Sequence, residues 1–476
     1  MTEIDPTSLS ATALAREIAT GQRSAVSVMT AFLDRVDVVN PRVNAIVSRV
    51  DRPTLMAEAR EQDEILRQHG PIGPLHGLPM AVKDLEDVVG LPTTQGSPLF
   101  RDHIATSDSP MVARLRQAGA IFIGKTNVPE FGFGSHTYNP VFGTTLNAYD
   151  HSRSAGGSSG GAAVALATRM VPLADGSDHA GSLRNPAGFN NIYGFRPSFG
   201  RIPDDNADLF AASLGVTGPM ARSVEDLALL FSVQAGPDPR MPLSIQQTGA
   251  SVSQPLDLPV TGRRIGWLGD LDGYLPMEPG ILPLCEQGLG VLEDLGCVVE
   301  PLSIGFPMEE LWEAWTLLRS WKVAANLGDT YQDPKRRGLL KPAAQWEVAN
   351  GLNVSGTAVS RALAVRSRWF LHMLSLFDSY DHLVLPTAQV FPFAADLDWP
   401  KEIAGRAMDT YHRWMEVVIL ATNAQLPSLS VPVGFNEAGL PMGMQIIGRH
   451  QDELSCLQLG HAYDVATHWP ALHPPV

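Results

Sequence analysis

A glycine-rich segment, residues 153–188, contains the serines whose surroundings are best suited to chemistry. Ser158 and Ser159 lie together in GGSSGG, and Ser182 follows in HAGSLR. A serine hydroxyl is a weak nucleophile at neutral pH, so an adjacent general base must activate it. The segment therefore predicts a serine nucleophile, and leaves open which serine attacks and which residue activates it.

Lysine is scarce in this chain, and its placement suggests a base. There are only six lysines, and Lys83 and Lys125 are the only two in the first 300 residues. Lys83 ends the apolar run in GLPMAVKD, which predicts a buried strand, and Lys125 has a similar context in IFIGKTN. Burial disfavours the ammonium form, and a neutral amine can act as a general base. An ion pair of Lys83 with Asp84 or Glu86 stays open as the alternative.

Other chemistries fit the motifs less well. GGSSGG lacks the G-K-[ST] ending of a phosphate-binding loop. Gly156-x-Ser158-x-Gly160 matches the nucleophile elbow of α/β-hydrolase-like esterases, which need an Asp and a His later in the chain. Late histidines are present, so this alternative stays open. The histidines are scattered without an H-E-x-x-H pattern, so we predict no metal.

Composition excludes several partners. The formal net charge is -15 at pH 7, which disfavours binding to nucleic acid. No apolar run approaches 18 residues and no secretory signal is recognisable, so we expect no membrane span. Three cysteines without a C-x-x-C pair indicate reduced thiols in a cytoplasmic protein.

The elements that must position these residues follow from the hydrophobic pattern. Residues 1–70 predict amphipathic helices with N-caps at Ser10 and Ser24 and a stop at Gly70. Residues 75–300 alternate short apolar runs with helical stretches, which is typical of an α/β fold. Because the candidate serines and lysines lie in this segment, we expect it to be the catalytic core. Residues 305–375 predict a helical, cap-like elaboration, and 380–476 the remaining strands of the core sheet. The elaboration is rich in tryptophan: Trp312, Trp315, Trp321, Trp346 and Trp369.

Several longer motifs identify a family. NPRVNAIV, GLPMAVKD, GKTNVPEFGFG, FGTTLNAYDHSRSAGGSSGGAAVALA, GSDHAGSLRNPAGFNNIYGFRPS and SVPVGFNEAGLPMGMQIIG strongly resemble the amidase signature family of serine hydrolases. The resemblance covers nearly the whole chain and is closest to the free-standing amidases. It implies one domain over residues 1–476, an α/β/α sandwich with a large mixed central sheet surrounded by helices.

The resemblance also assigns roles to residues of this chain. The family uses a Ser–cis-Ser–Lys triad without histidine. The matching positions imply that Ser182 is the nucleophile, Ser158 the cis-serine that relays protons, and Lys83 the general base. Ser158, which matches the nucleophile-elbow pattern, is then the proton relay and not the nucleophile.

Backbone N–H groups form the oxyanion hole that the resemblance implies: His179, Ala180, Gly181 and Ser182. We expect supporting roles for a second set: Gly157, Ser159, Asp178 and Arg184, the last two as an ion pair. The family pattern here is D-x-G-G-S, whereas this chain has DHAGS. The Cβ of Ala180 narrows the allowed backbone angles, so the oxyanion turn is expected to differ there. His179 is expected to line the entrance to the site.

The implied activity is hydrolysis of small amides or aryl amides, with carbamates (urethanes) as related substrates and no cofactor. The substrate is a small molecule, and a homodimer is the assembly common among relatives. The alternative within the family is the glutaminase subunit of a tRNA-dependent amidotransferase.

Overall fold

A computed structural model describes residues 4–204, 208–473 and 475. The strands of these ranges, in chain order, are β1 Ile46–Val47, β2 Pro79–Lys83, β3 Ile121–Thr126, β4 Tyr138–Asn139, β5 Gly143–Thr144, β6 Leu173–Asp178, β7 Tyr193–Arg196, β8 Val216–Ala221, β9 Arg264–Trp267, β10 Val298–Pro301, β11 His382–Pro386, β12 Glu402–Ile403, β13 Arg406–Ala407, β14 Ser428–Phe435 and β15 Pro441–Ile447. The α-helices are α1 Ala11–Ala19, α2 Ala25–Val43, α3 Arg52–His69, α4 Pro110–Gln117, α5 Gly160–Ala167, α6 Arg184–Phe189, α7 Val224–Gln234, α8 Ile281–Asp294, α9 Met308–Gln332, α10 Pro334–Arg337, α11 Pro342–Gly351, α12 Gly356–Leu376, α13 Ile419–Ala424, α14 Glu453–Thr467 and α15 Trp469–Leu472.

One large mixed sheet organises the fold. Its 11 strands run in the order β1-β3-β2-β6-β8-β7-β14-β15-β11-β9-β10 in the described ranges. β2 is parallel to β3 and β6, whereas β14 and β15 form an antiparallel pair. β2, β3, β8 and β15 are buried along their whole length, which requires cover on both faces. The predicted α/β class with a large mixed central sheet is confirmed.

The N-terminal helices begin and end where the sequence predicts. Ser10 Oγ accepts the Ala13 N–H at the start of α1, and Ser24 Oγ accepts the Ser27 N–H at the start of α2. α3 ends at Gly70, whose φ of 83° lies in the left-handed region that favours glycine. These caps satisfy N–H groups that the first helical turn leaves without partners.

The four predicted segments contribute unequally to the sheet. Segments 1–70, 75–300 and 380–476 each supply strands to it, whereas 305–375 contains α9 to α11 and all but the last residue of α12. Trp312, Trp315 and Trp369 are buried, and Trp321 and Trp346 are each 38% exposed. The division into segments stays a prediction. Across the described ranges, the helices lack the length and apolar character needed to cross a bilayer.

Helix α5 packs tightly because it begins with glycine. A Cβ at Gly161 would lie 2.3 Å from Asn127 N, 2.6 Å from Asn127 O and 2.7 Å from Ala45 O. All three contacts are backbone atoms, which cannot rotate away as a side chain does. Glycine therefore lets α5 approach the chain that follows β3, and α5 in turn carries the serine pair at its N-terminus.

We predict opposite effects for two alanine substitutions. Gly161→Ala lowers the free energy of unfolding by about 2 kcal/mol or more, because the new methyl group overpacks against backbone. Gly290→Ala in α8 meets nothing within 4 Å and raises it by about 0.5–1 kcal/mol, because alanine favours the helix. Chemical denaturation measures both, and equal effects would contradict the packing described.

Candidate active site

Lys83 lies at the centre of a buried group of hydroxyls. It ends β2, and the parallel neighbour β6 ends at the same edge of the sheet. Its Nζ lies 2.8 Å from Ser158 Oγ, 2.8 Å from Ser159 Oγ and 2.9 Å from Ser177 Oγ. Lys83 and Ser159 are fully buried. Ser177 was not predicted as a site residue, although it lies in the same GSD segment of the sequence.

The surroundings of Lys83 favour a neutral amine. Burial lowers the pKa of Lys83 to about 7, although Asp175, Asp178 and Glu86 act to raise it. A group with this pKa is partly unprotonated at neutral pH and is suited to proton transfer.

The alternative pairing of Lys83 with Asp84 is not what the structure contains. Asp84 lies 3.7 Å from Lys125 instead, in a fully buried pair. Lys125 Nζ also donates to Thr93 Oγ1 at 3.2 Å. Of the two lysines in the first 300 residues, Lys125 has a carboxylate partner and Lys83 faces hydroxyls.

The loop before α5 requires glycine at 157. The Gly157–Ser158 peptide bond is cis. A Cβ at Gly157 would lie 2.9 Å from His136 N and 3.0 Å from Ser135 C. Ser135 Oγ donates to Gly157 O at 2.5 Å. The segment at 135–136 therefore holds the peptide that presents Ser158 to Lys83, and Ser158 Oγ contacts this lysine rather than a histidine.

Asp178 holds the turn that carries Ser182. Its carboxylate accepts the N–H groups of Gly181 at 2.9 Å and Leu183 at 3.2 Å. Arg184 donates to it twice, at 3.0 and 2.9 Å, and Arg196 lies at 3.2 Å. The two buried guanidinium groups and these hydrogen bonds hold the pKa of Asp178 well below its usual range, against the opposing effect of burial. The predicted contact between Asp178 and Arg184 is present.

Ser182 lies next to the serine pair Ser158–Ser159, but the Ser182 side chain forms no hydrogen bond with either serine. Ser159 N donates to Ser182 O at 3.3 Å. The Ser182 hydroxyl has no hydrogen-bond partner among the described residues, and Ser182 is 7% exposed. No hydrogen bond joins the hydroxyls of Ser158 and Ser182 in the described ranges. The nucleophile, relay and base roles stay predictions.

The backbone of the predicted oxyanion turn divides into two kinds of N–H group. The Gly181 N–H is engaged by Asp178, whereas those of His179, Ala180 and Ser182 have no acceptor in the described part of the chain. The left-handed φ, 80°, falls on Gly181, and Ala180 has no positive φ. Alanine at 180 therefore requires no unusual backbone conformation. The oxyanion hole itself stays a prediction.

His179 packs inward against the tryptophan-rich helices. Its ring meets that of Trp315 edge-on, with centroids 6.2 Å apart. Burial and the nearby Arg319 lower the pKa of His179 well below its usual value, so it is neutral at pH 7. Its Nε2 is buried and has no partner among the described residues.

A buried polar network joins α9, α11 and the chain before α13. Arg319 donates to Glu347 Oε1 at 2.5 Å and to the Tyr411 hydroxyl at 2.9 Å. The Tyr411 hydroxyl donates in turn to Glu347 Oε1 at 2.7 Å. Ser320 Oγ also donates to Glu347, at 2.6 Å. The sequence did not indicate this network, because Arg319, Glu347 and Tyr411 are far apart along the chain and form no motif.

An aromatic cavity of about 340 Å³ adjoins the loop that packs on Gly157, and shares Ser135 and His136 with it. Its aromatic lining consists of Phe133, Tyr138, Trp346, Trp399, Tyr411 and Trp414. Lys341 also lines it and donates to Phe133 O at 2.5 Å. Burial lowers the pKa of Lys341 to about 8. Of this lining, only Trp346 stood out in the sequence.

Comparisons with known proteins find one family and two kinds of relative within it. A sequence profile described as Amidase matches residues 27–457. The chain is 34% identical to an acylamidase of Rhodococcus erythropolis, over 100% of this chain and 98% of that protein. It is also 34% identical to a glutamyl-tRNA(Gln) amidotransferase subunit from Symbiobacterium thermophilum, over 96% and 97%. The crystal structure of a bacterial aryl acylamidase of the amidase signature enzymes superposes with a TM-score of 0.91 at 29% identity, covering 98% of this chain and 99% of that chain.

We predict that Glu347→Gln lowers the free energy of unfolding by about 3 kcal/mol, because it leaves the Arg319 guanidinium buried without a counter-charge. Glu310→Gln is the control, because Glu310 pairs with Arg368 at the surface and both side chains are more than 40% exposed. The control changes the free energy by less than about 0.5 kcal/mol. Chemical denaturation of both variants measures the difference, and a Glu347→Gln effect as small as the control would contradict the network.

Proposed function

Because this chain belongs to the amidase signature family of amide-hydrolysing enzymes, we propose that it cleaves small amides through an acyl-enzyme on Ser182, with Ser158 as proton relay and Lys83 as general base. The observation that carries the proposal is the 2.8 Å hydrogen bond between Lys83 Nζ and Ser158 Oγ. It joins a lysine with no carboxylate partner among the described residues to the serine that adjoins the nucleophile turn.

The proposed reaction moves one proton along this chain of groups. Neutral Lys83 accepts the proton of Ser158 while Ser158 accepts that of Ser182, and Ser182 Oγ attacks the substrate carbonyl. This step requires the two serine hydroxyls to approach to hydrogen-bond distance once substrate is bound. Ser158 then gives its proton to the leaving nitrogen and regains one from the Lys83 ammonium, which returns Lys83 to its neutral form. A water molecule, deprotonated through the same relay, hydrolyses the ester on Ser182.

The negative oxygen of the tetrahedral intermediate needs donors that are already in place. The unengaged N–H groups of His179, Ala180 and Ser182 support an oxyanion hole at this turn. Each such donor contributes about 3 kcal/mol to stabilisation of the transition state. The Gly181 N–H has a different role in this proposal, since its bond to Asp178 fixes the turn.

The substrate we propose carries an aromatic group. The aromatic cavity beside Gly157 supports this, because flat apolar rings stack favourably on Trp and Tyr side chains. The similarity to an acylamidase and to an aryl acylamidase supports the same substrate class. Aryl carbamates belong to the proposal as well, because their carbonyl is open to the same attack.

A glutaminase subunit of a tRNA-dependent amidotransferase is the second candidate. It is favoured by the 34% identity to an amidotransferase subunit over nearly the full chain. The DHAGS turn and the tryptophan-rich helices favour the free-standing amidase. Glutamine hydrolysis by the purified protein, or co-purification with partner subunits, would support the second candidate instead.

We predict that Ser182→Ala, Ser158→Ala and Lys83→Ala each lower kcat/KM on an aryl amide by about 1,000-fold or more, because each removes a link of the proposed proton path. Ser379→Ala, at an exposed serine far along the chain, is the control and retains wild-type kinetics. Turnover by Ser182→Ala at the wild-type rate would refute the nucleophile assignment.

A second prediction concerns the aromatic cavity. Trp346→Ala raises KM for an aryl amide about 10-fold and leaves KM for acetamide nearly unchanged, because only the aryl substrate loses stacking area. Trp321→Ala is a matched control, since both tryptophans are 38% exposed but Trp321 does not line the cavity. Equal effects of the two substitutions on KM would contradict the assignment of the cavity.

A further inference from the structure

Asp175 is a buried carboxyl group that the proposed mechanism leaves without a role. It lies on β6 and is fully buried. Both of its carboxylate oxygens lie 3.2 Å from the backbone N of Lys83, across the β2–β6 pair. Within the described residues it accepts from no other residue and has no Lys or Arg within 4 Å. A buried carboxylate is costly unless it is paired and well hydrogen-bonded.

The other buried charges around Lys83 are arranged in pairs. Lys125 on β3 faces Asp84. Asp178, at the end of β6, faces two arginines. This leaves Lys83 and Asp175 as neighbours that each lack an ion-pair partner within 4 Å in the described part of the chain.

Glu86, which follows β2, is the remaining acidic group near Lys83. Its carboxylate accepts from Ser109 Oγ at 2.7 Å and lies 3.4 Å from Thr217 Oγ1. The groups that affect the charge of Lys83 are therefore three carboxyls, Asp175, Asp178 and Glu86.

We propose that Asp175 is a positioning residue that sets the proton affinity of Lys83, by holding the end of β2 through the Lys83 backbone N–H and by contributing negative charge on the neighbouring strand when it is ionised. The proposal rests on the proposed role of Lys83 as general base. In this proposal, Asp175 and the burial of Lys83 together determine the pH above which Lys83 is unprotonated and can act as a base.

The direction of the effect follows from the charges. Burial lowers the pKa of Lys83, and Asp175 is the first of the carboxyls that raise it again. Burial and the neighbouring Glu86 raise the pKa of Asp175 to about 7. A base must be unprotonated, so activity rises as pH increases through the pKa of Lys83. Removal of the negative charge at 175 lowers that pKa, and the acid limb of the profile moves to lower pH.

The test measures the rate of inactivation by phenylmethylsulfonyl fluoride as a function of pH. This reagent reports activation of the nucleophile without any assumption about the amide substrate. Asp175→Asn keeps an acceptor for the Lys83 N–H and removes the charge. Because the pKa of Asp175 is itself about 7, the carboxyl is only partly ionised over the acid limb, and we expect the limb of this variant roughly half a pH unit below that of the wild type. Asp175→Ser removes the charge with a smaller side chain. We expect the same shift in this variant, which replaces Asp175→Asn if Asp175→Asn folds poorly.

Asp226→Asn is the matched control. Asp226 is also a buried carboxylate bonded to backbone, since it accepts the N–H groups of Ala11 at 2.9 Å and Thr12 at 2.8 Å. Its replacement is expected to reduce stability and leave the acid limb in place. A shift in both Asp175 variants and not in the control supports the proposal.

Two results would overturn the inference, and only the second would also overturn the proposed role of Lys83 as general base. If Lys83→Ala abolishes inactivation but both Asp175 variants keep the wild-type acid limb, or lose rate without a shift, Asp175 has only a structural role. If Lys83→Ala reacts like the wild type, the proposed base itself is wrong and the inference fails with it.

Discussion

The contact between the buried amine of Lys83 and a set of serine hydroxyls is the interaction on which the site depends. An amine in this position is useful as a base only if no carboxylate binds it directly, because an ion pair would keep it protonated. The sheet achieves this by ending β2 beside β6, so that Ser177 reaches Lys83 from the neighbouring strand. Tight glycine packing at 157 and 161 then brings the serine pair to the same amine.

The buried charges of this protein have two different functions. Asp178, with its arginines, and Glu347, with Arg319, are strongly hydrogen-bonded and hold ionised carboxylates, as the lowered pKa of both groups indicates. Such networks fix a turn or a helix pair in one arrangement. Lys83 is the contrasting case, since its pKa of about 7 allows it to change protonation. The Asp178 network holds the turn that follows Ser177 and carries Ser182, whereas the Glu347 network joins α9 and α11.

Much of this arrangement could be predicted from sequence, because local patterns determine it. The α/β class and the caps Ser10 and Ser24 follow from local patterns, whereas the proximity of Lys83 to Ser158 was implied only by the resemblance to the amidase signature family. Local sequence did not show which of Lys83 and Lys125 forms an ion pair with a carboxylate and which is free to act as a base. Successive residues of a strand point to opposite faces, so Asp84 turns away from Lys83 and meets Lys125. Asp175 and the Arg319 network were missed because their partners are distant in the chain, where one sequence carries no signal. The GGSSGG doublet resembles a nucleophile elbow, and only the family pattern argued against that interpretation.

The central claim is that Ser182, and not the more conspicuous Ser158, is the nucleophile. Peptide mapping after reaction with phenylmethylsulfonyl fluoride tests it most directly. Cleavage after Arg153, Arg169 and Arg184 separates the two serines, because Ser158 falls in the peptide 154–169 and Ser182 in the peptide 170–184. The account predicts one sulfonyl group, in the second peptide, with fragment ions that assign it to Ser182 rather than Ser177. A sulfonyl group on Ser158 or Ser159 would contradict it.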